Sequence, residues 1–183
     1  LTADGSPAAL KLAIDRYASA LQRFRQIADE EGEAITLGAI ANIHYRLSDA
    51  QQGIIAVERA LAIWDGLRRD REHGVALSDR GLLAYLAYQH ADARRYYEQA
   101  LVKHRAAGDA RGEAVTLTRI GWVHHVSAEL QQALDASRQA LQIYRDIGDP
   151  VGESVAYNDL GRAYLDLGEV PQALEAFHHA LAL

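Results

Sequence analysis

The chain has 183 residues, 49% apolar and 24% charged, a balance that excludes a disordered segment and suits one folded domain. Its formal charge of −6 would repel a phosphate backbone, and no compact basic patch offsets it, so no nucleic-acid partner is expected. It contains no cysteine, which excludes disulfides, thiolate catalysis and cysteine-ligated zinc and leaves the fold to packing alone.

No run approaches the roughly 18 to 20 apolar residues that cross a bilayer, and the amino-terminal stretch lacks a charged region followed by an apolar one. No membrane partner is expected, and a reducing, cytoplasmic location fits. The chain begins at Leu1 and holds no methionine, from which an excised piece of a longer polypeptide is expected.

In chain order, residues 1–7 read as a disordered or short arm and residues 8–183 as one helical array. Residues 8–31 form a single helix, half of a hairpin. Residues 32–73 form a hairpin with Leu37 and Ala41 on its first helix, a capping box predicted from Ser48 to Gln51, and Gly53, Val57 and Ala60 on its second. Residues 74–111 repeat these positions with Leu77, Gly81, Ala93, Tyr97 and Ala100. This unit departs from the pattern at Arg80, in an apolar column, and at the irregular joint Glu72-His73-Gly74.

Residues 112–151 follow the breaker Gly108-Asp109 and carry Leu117, Gly121, Ala133 and Ala140. Ser137 falls in the column otherwise held by Tyr17, Val57, Tyr97 and Phe177, which predicts looser packing of that hairpin. Residues 152–183 follow Gly148-Asp149-Pro150, which combines a left-handed helix stop, an acidic cap and a proline at a helix start. Gly168 ends the next helix and Pro171 opens its partner.

The dipeptide Ala-Leu begins at Ala20, Ala60, Ala100, Ala140 and Ala180, every 40 residues. Small residues let two helix backbones approach, and larger ones a turn away fill the space, so such columns mark crossings. Within a unit, Val155, Leu160, Ala163, Tyr164 and Leu167 recur at helical steps of three and four. The fold class is therefore all-α: stacked antiparallel helical hairpins, each needing neighbours to cover its apolar face.

The run Leu160, Gly161, Ala163, Tyr164, Leu167, Gly168, Ala173, Phe177, Ala180, Leu181 resembles the tetratricopeptide repeat (TPR) signature. The 40-residue period and the joint Gly148-Asp149-Pro150-Val151-Gly152-Glu153 resemble the longer variant of kinesin light chains, LGN-type scaffolds and many bacterial signalling proteins. The extra residues are expected to lengthen each second helix by about one and a half turns. The resemblance implies a right-handed α-solenoid, the TPR superhelix, whose first helices line a concave groove that receives a peptide.

In the family the groove positions of each first helix are the second, fifth, sixth, ninth, twelfth and thirteenth. Counted from Ala34, Gly74, Ala114 and Ser154, the resemblance assigns to the groove Asn42, Tyr45 and Arg46; Asp79, Leu82 and Tyr85; Thr118, Arg119, Trp122 and His125; and Asn158, Asp159, Arg162 and Asp166. Asn42 and Asn158 are suited to clamp a peptide backbone, and Arg119 and Arg162 to take a carboxylate, so an acidic segment is the expected partner. Trp122 with Tyr85 is the expected hot spot. The family's two-carboxylate clamp requires lysines where this chain has Gly38 and Val115, so chaperone carboxyl termini are not expected to bind.

His124-His125 and His178-His179 are adjacent on helices, where neighbours diverge by about 100°, so no metal site is expected. His44 and His124 share the column of Tyr164 and read as packing residues. No phosphate loop, zinc-protease helix, nucleophile elbow or dinucleotide fingerprint occurs, so neither a cofactor nor catalysis is expected. The sequence thus reads as a protein-interaction scaffold that binds a peptide segment. The rival readings are a sensor or autoinhibitory arm of a larger bacterial signalling protein, and a spacer that self-associates through uncapped repeat ends at Ala180, Leu181 and Leu183.

Overall fold

The computed structural model of the chain describes residues 6–183. Of the arm expected over residues 1–7, residues 1–5 lie outside the described part; Ser6 caps the first helix and Pro7 opens it. The described residues form α1 Pro7–Gln26, α2 Glu30–Arg46, α3 Ala50–Leu67, α4 Asp70–Leu86, α5 His90–Ala106, α6 Ala110–Val126, α7 Leu130–Asp146, α8 Pro150–Asp166 and α9 Val170–Ala182, with no strand among them. The chain divides into two compact units, the first ending at Ala93 and the second beginning at Arg94. α2 pairs with α3 in the first unit, and α6 with α7 and α8 with α9 in the second. The fold is an all-α helical-repeat solenoid.

The joints recur every 20 residues with one geometry. Ala28, Ser48, Arg68, Tyr88, Gly108, Ala128, Gly148 and Gly168 all have positive φ, from 52° to 79°. The next residue's N–H donates to the carbonyl five residues back, as from Asp29 to Phe24 and from Asp149 to Tyr144, both at 2.9 Å. These bonds satisfy carbonyls that a helix end would otherwise leave orphaned.

The start of each helix comes next. Asp29, Asp49, Asp109 and Asp149 each accept a hydrogen bond from the backbone N–H three residues on, the capping geometry of a short acidic side chain. Ser48 is therefore not the cap expected of it. It occupies the left-handed turn at φ 57°, and Asp49 caps α3.

The small columns lie at the crossings. Ala60, Ala100 and Ala140 are fully buried, and Ala41, Ala93, Ala133 and Ala173 nearly so. A Cβ on Gly161 would stand 2.5 Å from the Phe177 ring, whereas one on Gly121 would stand 3.3 Å from the Ser137 hydroxyl. The small serine leaves a Cβ at Gly121 more space than the Phe177 ring leaves one at Gly161, yet Ser137 is itself buried and the α6–α7 pair packs closely, so the looser packing expected of that hairpin is not seen.

Arg80 is buried in its apolar column, its Nε 3.1 Å from Glu58 of α3, so an ion pair stands where other units place aliphatic carbons. The first and second helices of the hairpins α2–α3 and α6–α7 are nearly equal, 17 and 18 residues and 17 and 17. The extra length expected of the second helices is therefore not visible as an asymmetry.

A further column emerges that the sequence reading passed over. Phe24, His104 and Tyr144 each close over a glycine at the start of the next first helix, Gly32, Gly112 and Gly152, where any Cβ would collide with the ring. His104 is 1% exposed, its Nδ1 3.1 Å from the Asp109 carboxylate. Trp64 holds the same register, but the chain has Glu72 where the others have glycine.

Candidate functional site

The residues assigned to the groove divide between the two units. In the first, Asn42 and Arg46 are exposed on α2 with Tyr45 half-buried, and on α4 Asp79 and Tyr85 are half-buried while Leu82 is turned inward. The Tyr85 ring lies 5.4 Å from that of His90, which partly occupies it.

Also in this unit, a cavity of about 330 Å³ opens between α2 and α4. Its sides are Ile35 and Val75, 59% and 48% exposed, and its floor is Trp64 of α3, 4% exposed. Gly38 also lines it, and a Cβ placed there meets nothing within 4 Å. Asp79 stands at one end.

Counted from Ala34 and Gly74, Ile35 and Gly38 hold the second and fifth groove positions on α2, and Val75 and Asp79 the second and sixth on α4. The cavity is therefore on the face that the family resemblance assigns to the groove. Its signal in the sequence was the β-branched column Ile35, Val75, Val115 and Val155, spaced by 40 residues.

In the second unit, Trp122 of α6 donates from Nε1 to Asp159 of α8 at 2.9 Å. The Asp159 side chain is only 13% exposed, and burial pushes its pKa up to about 6, against the opposing pull of Trp122, Arg162 and His125. Burial penalises the charged carboxylate more than its partners stabilise it. His125 Nε2 lies 2.7 Å from Asp166, and Arg162 4.0 Å from Asp159.

Two other assigned residues in this unit are tied up locally. The Thr118 hydroxyl is buried and donates to the Ala114 carbonyl at 3.1 Å, and Asn158 donates to the Ser154 carbonyl at 3.0 Å. Trp122, Asp159, Arg162 and His125 thus form one cluster, with Arg119 half-buried on α6.

Also in the second unit, a concavity of about 290 Å³ is bounded by Arg145, Tyr157, Tyr164 and His179. Its polar groups are engaged with one another. Tyr157 stacks on His179 at 4.9 Å, Arg145 donates to the Tyr157 hydroxyl, and Arg138 donates to Tyr164 at 2.9 Å.

His44 and His124 sit at helix ends against the joint acids, His44 3.3 Å from Asp49 and His124 bonded to Glu129. Among the described residues no three His, Asp or Glu side chains are grouped to hold a metal ion, and no helix is long and apolar enough to cross a membrane.

A profile of the tetratricopeptide repeat family matches residues 155–183, and no curated protein matches the chain. Among solved structures, BtubC (BKLC) from P. vanneervenii is similar with a TM-score of 0.84 at 18% identity, over 95% of this chain and 73% of its own. A Rap protein complexed with Competence and Sporulation Factor gives 0.84 at 20% identity, over 96% of this chain. The chain spans about half of that protein, 49% of its length. The kinesin light chain TPR-like repeats of Podosopora anserina give 0.67 at 13% identity, over 97% of this chain and 95% of theirs. Such identities bear on fold alone. The chain is an all-α helical-repeat solenoid whose residues 155–183 match the tetratricopeptide repeat family, and it shares its fold with these structures along nearly all of its length.

Proposed function

We propose that the chain is a non-catalytic interaction module that binds a peptide segment of a partner protein on the face made by its first helices. The observation that supports this most is the cavity between α2 and α4, whose walls Ile35 and Val75 are exposed above the buried Trp64. Exposed apolar groups gathered in a concavity mark binding sites more often than isolated ones do. In the second unit Trp122 and Arg119 supply the aromatic and cationic groups that interface hot spots favour. An acidic stretch of the partner would meet Arg119 and Arg162, the latter exchanging its contact with Asp159.

A photocrosslinking amino acid tests the face. Placed at Asn42 or Asn158 on first helices, it should trap a partner protein; placed at Gln139, exposed on the second helix α7, it should trap little. Equal capture from Gln139 would sink the assignment. A second reading, an arm of a larger signalling protein, is favoured by the likeness to the Rap protein, only half of whose length this chain spans. Partner capture in cis, from within one polypeptide, would support it.

A further inference from the structure

We infer that Asp159 is a proton-operated gate on the part of the second unit's face that takes an acidic segment. Ionised, it offsets Arg162 and repels an incoming carboxylate; protonated, it leaves the guanidinium to the partner and donates its own O–H to that carboxylate. This rests on the peptide-binding reading and specifies how one part of that face is regulated.

The geometry fixes which oxygen takes the proton. Trp122 of α6 donates to Oδ2 of Asp159 at 2.9 Å. Oδ1 faces the Arg162 guanidinium at 4.0 Å, too far for a hydrogen bond. Oδ2 is thus committed as an acceptor, and the proton goes to Oδ1, the oxygen beside the cation. The Arg162 side chain is 60% exposed against 13% for Asp159, so a partner reaches the guanidinium from solvent with the carboxyl group behind it.

The surroundings place the switch within an ordinary range of pH. Burial pushes the Asp159 pKa up to about 6, well above the usual carboxylate range. The charged groups that act on it are Arg162 on α8 and His125 on α6; among the described residues, α7 and α9, which also pack on α8, bring none to bear. Arg119, another cation of α6, acts on Tyr144 instead. His125 Nε2 lies 2.7 Å from Asp166, without the alignment of a hydrogen bond. One proton on Asp159 therefore moves this cluster one charge toward positive whichever state His125 holds, which favours an approaching carboxylate. A carboxylate bound at Arg162 in turn favours the protonated acid, so affinity rises as pH falls through about 6 and binding takes up a proton.

Panning a phage-displayed random dodecapeptide library on the protein at pH 5 supplies the probe, an enriched peptide that carries Asp or Glu and no histidine. Its affinity should fall about tenfold from pH 5 to pH 7.5, the loss that a tenfold preference for the protonated form produces. Asp159→Asn keeps an acceptor for Trp122, can donate to the peptide as the protonated acid does, and stays neutral at every pH. It should bind at pH 7.5 about as tightly as the wild type binds at pH 5, a gain that a merely structural role would not give. Arg162→Gln should weaken the peptide severalfold at pH 5.

Affinity within about twofold across that range would overturn the gate, as would a pH dependence that survives in Asp159→Asn and vanishes in His125→Gln. Enriched peptides without an acidic residue would overturn it too. In each of these cases peptides still bind, so the peptide-binding face stands. With no peptide enriched and no crosslink at Asn158, the face itself fails, and the gate with it.

Discussion

The two units solve the same joint with different residues. Up to Ala93 the left-handed positions are Ala28, Ser48, Arg68 and Tyr88; beyond it they are Gly108, Ala128, Gly148 and Gly168. The starts of the first helices differ as well. α6 and α8 begin with an aspartate that bonds a glycine N–H beneath a ring, His104 or Tyr144. α2 does the same beneath Phe24, but α4 is preceded by Arg69, which makes no side-chain cap, and carries Glu72 in place of the glycine. Backbone geometry is nonetheless uniform, so packing and the joint's own hydrogen bonds set it, and the residue choice only adjusts its cost.

The largest difference should appear where glycine sits under a ring. Gly152→Val places two methyl groups against the Tyr144 ring, which is already packed in the core of its unit. Overpacking of this kind costs about 3 kcal/mol at the upper end. At the start of α4 the equivalent residue already has a side chain, so Glu72→Val should lose little beyond its exposed pairing with Arg69, at most about 1 kcal/mol. Urea melts of both variants check this; equal losses would show that the ring column does not distinguish the start of α8 from that of α4.

A smaller effect depends on pH. The Asp159 pKa is raised to about 6 from 3.8, so the folded state favours the protonated acid more than the unfolded chain does. Below pH 3.8 the group is protonated in both states and carries no penalty. As pH rises through 6 the penalty grows to its full size, on the order of 2 to 3 kcal/mol. Asp159→Asn keeps an acceptor for Trp122 and should remove that fall, leaving the variant the more stable at neutral pH. Hydrogen exchange in α6 and α8 at pH 4 and pH 7 reads the effect, and no change in α8 between these values would refute it.

These contrasts also explain what could be read from the sequence. The breakers at Gly108-Asp109, Gly148-Asp149-Pro150 and Gly168 announced the joints of the second unit, because glycine there advertises positive φ. Tyr88 and Arg68 advertise nothing, and at Ser48 the hydroxyl suggested a cap one residue before Asp49, which holds that place. The 40-residue columns were legible because a crossing constrains residue size at one position. The candidate site was harder. Its assigned positions came from family resemblance, yet the exposure of each depends on neighbours: Thr118 turned its hydroxyl to its own helix, and Leu82 was covered. The cavity needed Gly38, Val75 and Trp64 from three helices, a combination no single segment displays.

The joints themselves give the smallest and cleanest comparison. Tyr88 is 85% exposed at φ 60°, so replacing it with glycine removes little buried surface. A non-glycine residue in the left-handed region costs roughly 1 to 2 kcal/mol, partly offset by the greater freedom of glycine in the unfolded chain. Tyr88→Gly should therefore stabilise the protein by about 0.5 to 1 kcal/mol, raising the melting temperature by roughly 1 to 4 °C for a chain of this size. Gly148→Ala runs the same step in reverse: φ is 66° and a Cβ there meets nothing within 4 Å, so its loss is conformational and not steric. Opposite shifts of similar size would show that one backbone state is imposed on both units whichever residue occupies it. A Gly148→Ala variant that melts unchanged would mean that the joint relaxes to negative φ, and the uniform geometry would then depend on the residue after all.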